Sequence, residues 1–213
     1  MLSEALHTEG CMFDAEPWRN VSLFASKSSP LICENSAGLY GSKGEQNMAH
    51  DARQVANFII DYCSSTGRPI SNLSLQKIVY FCHAWSLVVL GKPLVRQSFE
   101  AWQYGPVIQH LYHEFKCFDR QPITEKARGL NITTGKKEEV TYEFDNDTEE
   151  VLLRVVDFYT RVSASDLVRM THAPGSPWDR VWNHSETTRP GMKLRDVDIL
   201  QYHSRSQITA KDH

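Results

Sequence analysis

Residues Ser74 to Leu90 present apolar side chains around almost the whole circumference of a helix. Leu75, Ile78, Val79, Cys82, Trp85 and Val89 form one face at helical spacing. Tyr80, Phe81, Ala84, Leu87 and Val88 cover most of the rest. A helix apolar on nearly every side must be enclosed by other elements. This segment is therefore read as a central buried helix, with Ser74 as its N-cap, Gly91 as its stop and Pro93 just beyond. The remaining elements have to form the shell around it.

The shell is mostly helical. Asp51 to about Cys63 carries Ala52, Val55, Ala56, Ile59, Tyr62 and Cys63 on one face, and Gly67-Arg68-Pro69 ends it. Leu94 to Tyr104 reads as extended, with Phe99, Ala101 and Gln103 alternating with Glu100, Trp102 and Tyr104. Gly105-Pro106 breaks that strand and reads as a helix start, followed by Ile108, Leu111, Tyr112 and Phe115. Val140 to Phe144 alternates and reads as a second strand, with Gly135, Lys136 and Lys137 as the turn before it. Asp147 with Glu150 resembles a capping box for a fourth helix, whose stripe runs from Val151 to Val162. Ser163 and Ser176-Pro177 open two more helices, and a last short one spans Arg195 to His203. The expected fold class is mainly α (α+β): a compact helical domain around a central buried helix, with a small antiparallel sheet.

Composition bounds the function. The chain has 213 residues and a net charge of −3, so no basic excess draws it to nucleic acid or anionic lipid. Uninterrupted apolar runs are only a few residues long, against roughly 20 for a membrane span. The five cysteines are widely spaced, with no C-x-x-C pair, and Met1 to Gly10 holds no Lys or Arg. A reduced, cytoplasmic protein is expected, with cysteines used as small hydrophobes. Residues 1–47 are rich in Ser and Gly and carry six acids against three bases. They read as a disordered tail, or as a mis-annotated start if translation begins at Met48. Residues 48–203 form the expected domain, and 204–213 a frayed tail.

Catalytic constellations are weak. His110 and His113 stand three apart, but no third or fourth ligand is marked for a metal. Cys82 and His83 are adjacent on a helix, so their side chains diverge by about 100° and a nucleophile pair is not formed. The expectation is no catalytic residue, no metal and no cofactor. The alternative is a hydrolase or metal protein built around His83, His110, His113 or His172. The aromatic residues are more informative. Trp102 and Tyr104 stand two apart, hence on one face of a strand, and Trp178 and Trp182 stand four apart on a helix. Such rings anchor protein interfaces, and they also pack helix against sheet.

Three blocks carry a resemblance. The first is Leu75-Gln76-Lys77-Ile78-Val79-Tyr80, Ala84-Trp85 and Gly91-Lys92-Pro93-Leu94. The second, and most specific, is Glu100-Ala101-Trp102-Gln103-Tyr104-Gly105-Pro106-Val107 with Leu111-Tyr112 and Phe115-Lys116. The third is Ser163-Ala164 with Leu167, Thr171-His172 and Pro177-Trp178. In this order and spacing they resemble the Panacea domain, the SocA-like antitoxin domain also seen in phage-associated GepA-like proteins, over roughly residues 50–203. The resemblance implies a bacterial or prophage antitoxin that binds and neutralises a cognate protein toxin, often encoded next door. Some members are similar to adaptors that deliver the toxin to an ATP-dependent protease. Trp102, Tyr104, Gly105, Pro106, Thr171, His172 and Trp178 are the partner-binding candidates it suggests. Many members carry a separate DNA-binding module. None is visible here, and neither nucleic acid nor membrane is an expected partner.

Overall fold

A computed structural model describes residues 49–183 and 192–209. The expected tail at 1–47, the start at Met48 and residues 210–213 lie outside them. Helix α1 runs Ala52–Thr66, capped by Asp51 in a reciprocal box with Gln54 and closed by Gly67 in the left-handed region. The central helix α2 runs Asn72–Leu90. Its cap is Ser71 rather than Ser74: the Ser71 hydroxyl accepts from the Ser74 N–H, which places Ser74 in the first turn. Gly91 ends the helix, as its position suggests.

Helix α2 is long and apolar enough, by length and composition, to cross a membrane. Here it is the core. It packs against α1, against the short α3 (Gln109–Glu114), and against α4 (Asn146–Tyr159), α5 (Ala164–Thr171) and α7 (Asp196–Thr209). At its centre Phe81 stacks on Tyr159 with ring centroids 4.1 Å apart, and the Trp85 indole donates to the Tyr159 hydroxyl at 3.2 Å. The cap of α4 is Asp145, two residues before the expected Asp147. It takes the Thr148 N–H on one oxygen and the Lys92 ammonium on the other. Ser163 caps α5 and Ser176 caps α6 (Pro177–Trp182), with Pro177 in its first turn. Helix α7 continues to Thr209, past the expected end at His203.

The β-structure differs from the expected pairing. Two hairpins replace a single sheet: β1 (Glu100–Trp102) with β2 (Gly105–Val107), and β3 (Arg128–Leu130) with β4 (Lys137–Glu139). Gly105 adopts φ +101°, which lets the chain reverse through Gln103 and Tyr104. Gly105-Pro106 thus begins a second strand, not a helix. The missing N–H of Pro106 does not weaken the ladder. Its partner Ala101 turns its own N–H outward, to the Met192 carbonyl at 2.8 Å.

Val140 to Phe144 is not a strand either; α1 side chains hold it. Asn57, fully buried in mid-helix, donates to the carbonyls of Ala127 (3.0 Å) and Val140 (2.8 Å) and accepts from the Ala127 N–H (2.7 Å). Tyr142 and Phe144 meet Phe58 edge-on, so the alternation is real but faces a helix.

Asn57→Ala strands three backbone groups. Each buried orphan costs about 1–3 kcal/mol, and with partial rehydration the variant should lose about 3 kcal/mol in urea unfolding. His203 gives a pH prediction. It is buried against the Tyr80 hydroxyl at 3.3 Å, and burial lowers its pKa to about 4. The unfolded chain binds this proton near pH 6.5 and the folded chain only near 4. Stability should therefore fall by about 1.4 kcal/mol per unit as pH drops through that window. In His203→Phe the His203 share of that slope should vanish.

Candidate functional site

All seven partner-binding candidates converge where α2, the β1–β2 hairpin, the end of α5 and α6 meet. Trp102 closes the hairpin opposite Gly105. Its indole N–H donates to Glu100 at 2.9 Å, and its ring tilts against Tyr112 at 5.1 Å between centroids. Tyr104 does not share the Trp102 face as a strand neighbour would. It lies in the reversal and is 60% exposed. The Trp102 carbonyl accepts from the Trp178 indole at 2.7 Å, tying hairpin to α6. His172, at the end of α5, lies flat on Trp178 with centroids 3.6 Å apart and planes 4° apart. Trp182 continues the stack at 5.7 Å and 14°.

Thr171 and Ser176 support this layer from behind. The Ser176 hydroxyl donates to the Thr171 carbonyl at 2.9 Å and accepts from the Asp179 N–H at 3.1 Å, so one side chain both caps α6 and fixes it to α5. Gly105, Pro106, Thr171 and Trp178 are buried, Trp102, His172 and Trp182 are half-buried, and Tyr104 is exposed. The aromatic surface is thus carried by a buried scaffold.

Two further residues build the site and were not singled out from sequence. Gln76 accepts from the Ile108 N–H at 3.0 Å, and the Lys77 amine donates to the Pro106 carbonyl at 2.9 Å. Both come from the first sequence block and grip the second. The available signal was a lysine on a helix apolar nearly all round. Lys77 is fully buried, and burial pushes its pKa down to about 7. The pKa of His172 is lowered first by burial and then by the nearby Lys77, while Asp179 opposes the shift. The His172 Nε2 is buried and has no hydrogen-bond partner among the described residues.

The histidines of the alternative reading sit on three separate elements, with only His110 and His113 sharing one. His83 is buried, with Nδ1 accepting from the Val95 N–H at 3.3 Å and Nε2 facing Asp196 at 3.2 Å. His110 and His113 are exposed on α3. Among the described residues no three His, Cys, Asp or Glu side chains gather as a metal would need. A groove of about 480 Å³ between Ile60, Cys63, Ile70, Pro122 and Ile123 shares no residue with the aromatic face.

Gly105 is the tightest point of the scaffold. A Cβ there would sit 2.6 Å from the Thr171 hydroxyl and 2.9 Å from the Lys77 amine, at a φ that L-residues rarely adopt. Gly105→Ala combines that strain with overpacking of about 1–3 kcal/mol. It should lose about 3 kcal/mol in denaturant unfolding.

Residues 75–179 match the family described as "Antitoxin SocA-like, Panacea domain". The chain is 41% identical over 148 residues to "Antitoxin SocA" of Caulobacter vibrioides (strain NA1000 / CB15N), covering 70% of this chain and 78% of that protein. No solved structure matches the chain at a significant level. The matched span takes in the central helix, the hairpin and the aromatic stack through Asp179, and with it the chain belongs to the SocA-like antitoxin family and carries its Panacea domain.

Proposed function

We propose that residues 48–203 neutralise a cognate protein toxin in the cytoplasm by binding it directly, through the face that carries Trp102, Tyr104, His172 and Trp182. The observation that supports this reading is Tyr104. It is a large ring held 60% exposed on a two-residue turn whose foot is clamped by Lys77, Thr171 and Trp178. An exposed aromatic ring on a rigid support loses little entropy when a partner covers it. Gly105, Pro106, Thr171 and Trp178 serve this surface from beneath. Covering the toxin's active surface needs no cofactor, only an apolar centre with a polar rim.

The toxin candidate is the product of the neighbouring reading frame. Expressed alone in a naive bacterial host it should kill, and co-expression of residues 48–213 should restore colonies. Folded Tyr104→Ala and Trp102→Ala variants should each bind that protein at least about fivefold more weakly, a loss of more than 1 kcal/mol. Unchanged binding by both variants would overturn the assignment of this face. Under direct occlusion the toxin's half-life stays the same or lengthens in the cell. A shortened half-life would instead mean delivery to an ATP-dependent protease.

A further inference from the structure

Lys77 is the only lysine, arginine or carboxylate on α2, and it lies wholly out of solvent. Among the described residues its hydrogen bond goes to the Pro106 carbonyl, and it makes no ion pair. Most acids on the elements packed against α2 are engaged elsewhere, and Asp147 and Glu149 on α4 are exposed to solvent. On α1, Asp51 holds Arg53 and Asp61 holds Lys126. On α3, Glu114 accepts from the Arg128 N–H, and on α4, Asp157 holds Arg68 and Arg161. On α5, Asp166 holds Arg169, and on α7, Asp196 faces His83. In the hairpin, Glu100 takes the Trp102 indole, and on α6, Asp179 takes the Gly175 N–H and the Asn183 amide. An ionisable neighbour in this layer is His172, whose field with Lys77 is repulsive when both are charged.

We infer that Lys77 is a proton-sensitive positioning residue: as a neutral amine it seats the Gly105–Pro106 strand on α2, and on gaining a proton it favours lifting of that strand and of the Tyr104 turn. Geometry supplies the reason. Among the described residues an ammonium at this position has one neutral carbonyl and no ion-pair partner, and it recovers its hydration when the hairpin moves away. The hairpin cannot adjust in place, because Gly105 packs against the same amine and the Thr171 hydroxyl too closely to admit even a Cβ.

The direction in pH follows. In the lifted state Lys77 takes a proton below the ordinary lysine value of 10.5, and in the seated state only below about 7. Each unit of acidification between those values favours lifting about tenfold. Below about 7 both states hold the proton and the Lys77 contribution ends. His172, whose pKa is lowered from 6.5, extends the trend further down. The aromatic face is therefore best seated above neutrality and loosens on acidification. That this alters partner capture rests on the binding reading above; the tie and its response to pH do not.

Nuclear magnetic resonance of the full chain tests the inference without any partner. The Lys77 13Cε resonance, assigned by its loss in Lys77→Met, should titrate with a midpoint near 7, about three units below exposed lysines. The amide signals of Gln103, Tyr104 and Gly105 should move with the same midpoint. In Lys77→Met those amide shifts should flatten across pH 6–9.5, and in His172→Phe, which keeps a stacked ring, they should persist. A Lys77 midpoint near 10, or hairpin shifts equal in Lys77→Met and the parent, would overturn it. If Lys77→Met does not fold, the parent and His172→Phe decide: hairpin shifts abolished in His172→Phe would assign the response to the imidazole and overturn the role of Lys77. Failure here leaves toxin binding standing, and failure of colony rescue leaves this result standing.

Discussion

The burial of α2 on nearly every side is the constraint from which the rest of the domain follows. Apolar side chains on such a helix are satisfied by any apolar neighbour of suitable size. Its polar side chains are not, because a buried donor or acceptor without a partner costs about as much as several good contacts provide. Each therefore fixes one piece of the shell at one height along the helix. Asn72 takes the Tyr112 carbonyl, Gln76 the Ile108 N–H, Lys77 the Pro106 carbonyl, His83 the Val95 N–H and Asp196, and Ser86 the Lys92 carbonyl. The hydrophobic effect supplies most of the drive to enclose α2, and these five side chains set the register in which it is enclosed.

That register places the aromatic face. Gln76 and Lys77 hold the far strand of the β1–β2 hairpin, so the reversal at Gln103 and Tyr104 is carried outward from a fixed base. From the opposite side Trp178 holds the near strand through the Trp102 carbonyl, and Ser176 sets the position of Trp178 by joining α6 to α5. His172 and Trp182 both stack on the Trp178 ring, so the stack has a shared anchor that is itself hydrogen-bonded to the hairpin. The three sequence blocks of the family are thus one physical unit: the first grips the second from α2, and the third closes on it from α5 and α6.

The legible parts of this structure were those that local chemistry decides. The central helix, the stops at Gly67 and Gly91, and the caps Ser163 and Ser176 depend on neighbours in sequence. The misread parts depend on distant ones. Gly followed by Pro suits both a helix start and a strand after a tight reversal, and the choice is made by Lys77 and Ala101, remote in sequence or across the hairpin. Val140 to Phe144 alternates because Tyr142 and Phe144 face Phe58, but its backbone partner is the Asn57 side chain rather than a strand. Ser71 and Ser74 are both capable caps, and it is Ser71 that has the extended backbone of a cap, with Ser74 donating its N–H to it. At the site, the motif residues were visible as a set. Their split into buried scaffold and exposed surface was not, because burial is a property of the assembled shell.

Hydrogen exchange of the chain, alone and mixed with the purified product of the neighbouring reading frame, tests the central claim most directly. The account predicts added protection over Glu100–Val107 and Pro177–Trp182, where the hairpin and the aromatic stack present one surface. Protection that appears only elsewhere, such as on the β3–β4 hairpin with its exposed Leu130 and Ile132, would contradict it.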